Sequence, residues 1–307
     1  MPLSMLKIQE IPTTERHLFR EHFDDAYYRD PHIDQVYQHR LRYFGIFLEG
    51  QLAGGFAVYE GGKGPLKTWI TPPFYPHIGL FVLRSEITVD KLLLQLTAFA
   101  RSQYVCYLKW DLPIAFHSSN LPAHWHERWT YRLHLRQSES SLIKNIHPTI
   151  KSSHQKAIKQ GCTFVADTQK HEVMALIRSN LDQKNVRYKG QLLDQLQTYY
   201  SEHPKAHYFS TFLGNQRIAC NIIYVDNGIA YHLFSAFDRS LALNYANAAH
   251  LLGTLLYLKE NFSDIHTFDF EGSTVPSIDF YFKRFGGIQC KYPSMYYSRL
   301  PLFFKAP

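Results

Sequence analysis

A chain of 307 residues, 45% of them hydrophobic, can bury a full core, which excludes global disorder and allows one large domain or two ordinary ones. The net charge of +7 favours acidic partners such as nucleic acid, phosphorylated metabolites or an anionic membrane surface, with solubility as the plain alternative. No apolar run reaches membrane-spanning length, the N-terminal MPLSMLKIQEIP holds no signal-type apolar core, and Cys106, Cys162, Cys220 and Cys290 form no CxxC pair, so the expectation is a cytoplasmic protein with free thiols.

In chain order, the first strong signal is FGIFLEGQLAGGFAVY at 44–59, two aromatic strands about a Glu49-Gly50 turn. GGKGP at 61–65 lies between two strand-like runs and reads as a hairpin turn rather than a phosphate cradle. TVDKLLLQLTAFARSQ at 88–103 has helical spacing, with Leu92, Leu96 and Phe99 on one face, and the strand YVCYLKWD at 104–111 follows. His117, His124 and His126 form a loose group that lacks the converging ligands of a metal centre, so none is assigned.

QSESSLIKNIHPTIKSSHQKAIKQG at 137–161 reads as helix, with Ser138 as a cap, Pro148 as a break or restart and Gly161 as the end. Its Lys144, Lys151, Lys156 and Lys159 partly share faces, which fits a polyanion-binding stripe as well as a solvated surface. Two more helices follow at 171–184 and 190–203. FSTFLGNQRIACNIIY at 209–224 then repeats the first hairpin at a constant offset of 165 (209 minus 44): Phe44/Phe209, Phe47/Phe212, Leu48/Leu213, Gln51/Gln216 and Tyr59/Tyr224 are identical. Asn227-Gly228 marks a further turn, 244–262 a helix with Ala248, Leu252, Leu255 and Leu256 inward, and IHTFDFE at 265–271 a strand. Each half thus runs hairpin, strand, helix, strand. The expectation is an α+β fold of two domains, 1–135 and 136–307, each a mainly antiparallel sheet flanked by helices.

The C-terminal TFDFEGSTVPSIDFYFKRFGG resembles the signature of FemAB-type proteins, an acidic strand ending in Gly-Ser and then a helix with F-K-x-x-F-G, here Phe282, Lys283, Phe285 and Gly286. SLIKNIHPTIKSSHQKAIKQG, YHLFSAF and PPFYPHIGLFV are also similar to segments of that family. The resemblance implies two tandem GNAT-like (acyl-CoA N-acyltransferase-like) domains, the second carrying the active cleft. It implies transfer of an acyl or aminoacyl group to an amine, with a cell-envelope precursor of peptidoglycan type as one acceptor. It ranks aminoacyl-tRNA ahead of acyl-CoA as donor and implies no other cofactor. No glycine precedes Gly253 in FSAFDRSLALNYANAAH, and none lies in LFVLRSEITVDK, so the backbone cradle that holds a CoA pyrophosphate at a helix N-terminus is missing from both halves.

Within that plan, 265–271 borders the cleft. Strand alternation puts Asp269 and Glu271 on one face, with Phe268 and Phe270 on the other. Ile278, Tyr281, Phe282 and Phe285 form the buried side of the next helix. Lys283 is expected to reach the space above Asp269 and Glu271 as a charge on donor phosphate or oxyanion, with a carboxylate accepting the proton of an ammonium. The catalytic set is therefore Lys283, Asp269 and Glu271, and the substrate-binding set Tyr231, Asp238, Arg239, Asn244, Ser273, Phe282 and Arg284. A CoA-dependent N-acyltransferase of a small amine and a catalytically silent GNAT-like binding protein stand as alternatives.

Overall fold

The computed structural model describes residues 6–24, 26–63, 66–113, 124–183, 190–271 and 276–299. Ser273 and His117 lie outside them. The chain divides into two compact units, Met1–Arg128 with Lys291–Pro307, and Trp129–Cys290. The division falls at 128/129 rather than 135/136, and the C-terminal strand belongs to the first unit, because the last strand position of each sheet is filled from outside its own half of the sequence.

The first unit holds β1 (Lys7–Glu10), α1 (Arg16–Arg20), α2 (Ala26–Arg29), α3 (Ile33–Val36), β2 (Leu41–Leu48), β3 (Gln51–Lys63), β4 (Leu66–Ile70), β5 (Gly79–Val82), α4 (Val89–Ser102) and β6 (Val105–Asp111). Strand β7 (His124–His134) begins here and belongs to the second unit from Trp129. The second unit continues with α5 (Glu139–Asn145), α6 (Pro148–Lys159), β8 (Cys162–Ala166), α7 (Lys170–Gln183), α8 (Gly190–Glu202), β9 (Ala206–Leu213), β10 (Gln216–Asp226), β11 (Ile229–Phe237), α9 (Ala246–Asn261), β12 (Thr267–Asp269) and α10 (Pro276–Lys283). Strand β13 (Ile288–Ser298) starts there and returns to the first unit at Lys291.

Sheet order in the first unit is β1-β2-β3-β4-β6-β13, and in the second β8-β9-β10-β11-β12-β7. Position for position the pairings agree: β4·β6 and β11·β12 are parallel, while β6·β13 and β12·β7 are antiparallel. A parallel pair needs a crossover, and α4 and α9 supply it.

The two hairpins repeat to the residue. Phe44 pairs with Phe56 as Phe209 does with Asn221, and Leu48 pairs with Gln51 as Leu213 does with Gln216. Both carry a bulge at the same place, which skips Ala53 in one and Ile218 in the other. Glu49 and Gly50 have φ of 51° and 81°, and Asn227 and Gly228 of 46° and 73°, the left-handed pair of a type I′ turn, whereas in the β9–β10 turn Gly214 alone is left-handed at φ 59°. At Gly228 a Cβ would also meet the His266 ring at 2.5 Å. Phe44 packs on Phe99 of α4 at 5.4 Å between ring centroids, and Phe209 on Tyr257 of α9 at 5.2 Å, so both crossover helices cover the equivalent face.

Ser138 caps α5 by accepting the Ser141 N–H at 3.1 Å, and Pro148 opens α6 behind a His147 cap. All four cysteines are free thiols.

Candidate active site

In the second unit, β11 and β12 pair at Ile229↔Thr267, Ala230↔Phe268 and Tyr231↔Asp269. Strand β12 stops there while β11 runs on to Phe237. Beyond Tyr231 the edge of β11 therefore has no β12 partner among the described residues, and the sheet splits.

Side chains of β7 alternate across this split. On one face Thr130 Oγ1 donates to Asp269 Oδ1 at 2.6 Å and Arg132 Nε to Asp269 Oδ2 at 2.8 Å, while the Glu271 backbone N–H donates to Asp269 Oδ1 at 2.9 Å. On the other face Trp129 Nε1 and the Tyr131 hydroxyl donate to Asp279 Oδ1, and Lys283 Nζ to Asp279 Oδ2 at 3.0 Å. Lys283 Nζ also sits 5.8 Å from the Tyr131 ring centroid. Burial alone would raise the Asp279 carboxyl, but hydrogen bonds from Tyr131, Lys283 and Trp129 outweigh it and hold the group below the usual range. The bond to Asp279, followed by that to Tyr131, raises the Lys283 ammonium, so it stays charged at neutral pH.

The structure departs from the expected arrangement at three points. First, the strand is Thr267–Asp269 rather than 265–271, and its residues are buried on both faces. Glu271 lies past its end at φ 62°, so Asp269 and Glu271 are not a same-face strand pair. Second, Lys283 does not stand over Asp269. Helix α10 packs on the face of Phe268 and Phe270, through Phe282 and Phe285, whereas Asp269 points to the opposite face. Third, Ile278 is not in the core but 36% exposed, since the inward residues are Tyr281 and Phe282 of this short helix and Phe285 of the turn after it.

Among the expected substrate contacts, Tyr231 is half-buried at the last β11–β12 pair, and Phe282 is buried against Phe270. The Arg284 guanidinium lies over the Phe280 ring at 5.7 Å, and its carbonyl accepts the His147 N–H at 2.8 Å. Asp238, Arg239 and Asn244 lie in the connection from β11 to α9. There Asp238 caps a 3-10 turn by accepting the Ser240 N–H and hydroxyl at 2.9 and 2.6 Å. The Ser240 hydroxyl bond is the main cause of its lowered carboxyl, which places a fixed negative charge before α9. Arg239 stacks over Phe237, and Asn244 is exposed.

The basic stripe is only partly free. Lys151 Nζ donates to the Ile143 carbonyl at 3.1 Å, closing the end of α5, and Lys156 lies over the Tyr245 ring at 5.1 Å. Lys144 and Lys159 are exposed. His124 and His126 flank the Tyr296 ring, and no metal-ligating group of three occurs among the described residues.

Sequence reasoning missed Asp279, Arg132, Trp129 and Tyr131. Asp279 was within reach, because Asp and Lys at i and i+4 share a helix face. The β7 residues were not, since their partners lie more than a hundred positions away.

The first unit has an acidic residue at the same strand end. Asp111 is buried, Arg128 Nη1 donates to its Oδ2 at 2.7 Å, and its Oδ1 has no hydrogen-bond partner among the described residues. The Ser294 hydroxyl, its register partner on β13, is likewise unpartnered there. Partial burial, then Arg128, lowers the nearby His126 imidazole.

No protein-family model and no curated sequence matches the chain. Solved structures do. FemX is similar over 94% of this chain and 96% of its own, at a TM-score of 0.60 and 11% identity. A tandem GNAT protein from the clavulanic acid biosynthesis pathway is similar over 97% and 99%, at 0.55 and 13%. The C-terminal domain of a putative lysylphosphatidylglycerol synthetase from Agrobacterium fabrum is similar over 80% and 81%, at 0.53 and 12%. The fold of this chain is therefore FemAB-like, an α+β architecture of GNAT type.

Proposed function

We propose that the chain is an N-acyl or aminoacyl transferase, that each compact unit is a GNAT-like domain, and that the reaction runs at the β11–β12 split. The split carries this reading. It opens the sheet between a face bearing the Lys283 ammonium and a rim where Asp269 pins Glu271. Lys283 stabilises the oxyanion or a donor phosphate. Glu271 accepts the proton of the incoming ammonium, and Asp269, held by three donors, is the positioning residue for it. The donor is an aminoacyl-tRNA and the acceptor an amine on a cell-envelope precursor. The Asp238 carboxylate before α9, with no glycine cradle, disfavours a CoA pyrophosphate at that helix end. The FemX and lysylphosphatidylglycerol synthetase likenesses fit this reading.

A second reading puts the reaction at Asp111, whose unpartnered buried oxygen suits a proton acceptor. One experiment separates them: transfer of radiolabelled amino acid from aminoacyl-tRNA to amine-bearing, UDP-linked precursors, with acetyl-CoA as the rival donor. The first reading expects Glu271→Gln and Lys283→Met to lose roughly a hundredfold in rate, with Asp111→Asn near wild type. The reverse pattern selects Asp111, and turnover with acetyl-CoA alone selects the CoA-dependent alternative.

A further inference from the structure

At the vertex of the split, on the face of Lys283, lies a buried polar cluster with no charged member. His232, the first β11 residue beyond the last β12 pair, sits between Phe268 and Phe282, at 5.8 and 6.5 Å between ring centroids. Behind it, His250 of α9 is joined through Nδ1 to the Thr211 hydroxyl at 2.9 Å. Asn221 Nδ2 donates to Thr254 Oγ1 at 3.0 Å, and Thr254 Oγ1 donates to the His250 carbonyl, also at 3.0 Å. Three atoms are left over: His232 Nε2, His250 Nε2 and Asn221 Oδ1 are buried with no partner among the described residues.

Buried polar atoms are nearly always satisfied, and each one left unpaired costs stability. Helix α9 and strands β9, β10 and β11 could have closed over this spot with aliphatic side chains, as they do at Leu255, Ile223 and Ala230. The cluster is also neutral. Burial lowers His232 to about 4, and burial with the neighbouring His232 lowers His250 to about 3, so at pH 7 each ring keeps a lone pair. When Nδ1 of a neutral ring carries the proton, Nε2 accepts. Ser235 extends the same face to solvent, since it pairs with Asn221 and is exposed.

We propose that His232, His250 and Asn221 select the acyl group of the donor, accepting hydrogen bonds from an N–H or O–H borne on the carbon next to its carbonyl and disfavouring plain hydrocarbon acyl groups. This rests on the transferase reading at the β11–β12 split and assigns the residues that select its acyl group. A hydrocarbon group would leave three buried atoms unpaired, while an amino or hydroxyl group pairs at least one.

The test uses three thioesters of N-acetylcysteamine that differ at one group of similar size: alanyl carries an amine, lactyl a hydroxyl and isobutyryl a methyl. Affinities are measured by calorimetry on the full chain, with imidazole ¹⁵N spectra recorded in parallel. The expected result is that alanyl or lactyl binds at least tenfold tighter than isobutyryl, that the Nε2 resonances of His232 and His250 move, and that His232→Phe reduces the preference below twofold. The better of the two polar probes identifies amine or hydroxyl. Equal affinities, absence of binding by all three, or unmoved Nε2 resonances overturn the proposal without any variant. Transfer from aminoacyl-tRNA with no such selectivity overturns it and leaves the transferase reading standing, whereas selective binding without transfer from any donor does the opposite.

Discussion

Asp269 Oδ1 accepts the backbone N–H of Glu271 at 2.9 Å, and this bond holds Glu271 at φ 62° just beyond the end of β12. Left-handed backbone is costly for a residue with a Cβ and persists where surrounding contacts fix it. Asp269→Ala should remove the bond and leave Arg132 and Thr130 without their acceptor, at roughly 1–3 kcal/mol. Glu271→Gln keeps the backbone and deletes the charge. We expect Asp269→Ala to lower both the urea midpoint and transfer, and Glu271→Gln to lower transfer alone. An active Glu271→Gln enzyme would remove this residue from the chemistry.

Lys283 is exposed, so its charge adds little to folding. Lys283→Met retains the stem along Tyr131 and removes the ammonium. The expected outcome is an unchanged melting temperature with a rate loss of roughly a hundredfold. Asp279→Asn weakens the anchor that orients the ammonium and should give a smaller loss. Full turnover by Lys283→Met would make the residue structural.

Phe285 is fully buried, its ring 5.1 Å from Tyr281 and 6.1 Å from Phe270. Phe285→Ala opens a core cavity and should cost about 3–5 kcal/mol in urea unfolding. A cost below about 1 kcal/mol would mean the site collapses onto α5.

The buried imidazoles make stability depend on pH. Both are depressed in the folded chain, His232 to about 4 and His250 to about 3, against about 6.5 when unfolded. Their contribution is therefore complete above about pH 6.5, and it is lost as the pH falls toward 4 and 3, because the unfolded chain binds protons that the folded one refuses. For His232 the loss is on the order of 3 kcal/mol. Melting temperature should be level above pH 7 and fall between pH 6.5 and 4, and His232→Phe with His250→Gln should flatten that fall. An unchanged slope in the double variant would show that the rings titrate normally.

Local patterns in the sequence determined the elements. Two hairpin turns use left-handed pairs, which Glu49-Gly50 and Asn227-Gly228 supply, and the β9–β10 turn uses Gly214. The 165-residue offset holds because a bulge at Ala53 and another at Ile218 preserve the same register in both copies. Ser138 sets a helix start by accepting the N–H of Ser141, three residues on, and Pro148 by its fixed φ and missing N–H. The spacing of Tyr281, Phe282 and Phe285 marked the buried side of the segment at 276–285, because an aromatic stripe at helical spacing is driven into the core.

Tertiary structure alone decided which face each charged residue takes. Strand alternation would put Asp269 and Glu271 on one face, but the strand ends at Asp269, where a carboxylate with three donors turns the chain. Lys283 chose Asp279, four positions away, over Asp269, since α10 docks on the aromatic face. Arg132 and Tyr131 entered the site from β7, and β13 left the second unit to complete the sheet of the first. Side-chain pairs of that kind join positions far apart in the chain. They follow from strand order, which short-range propensity and spacing do not encode.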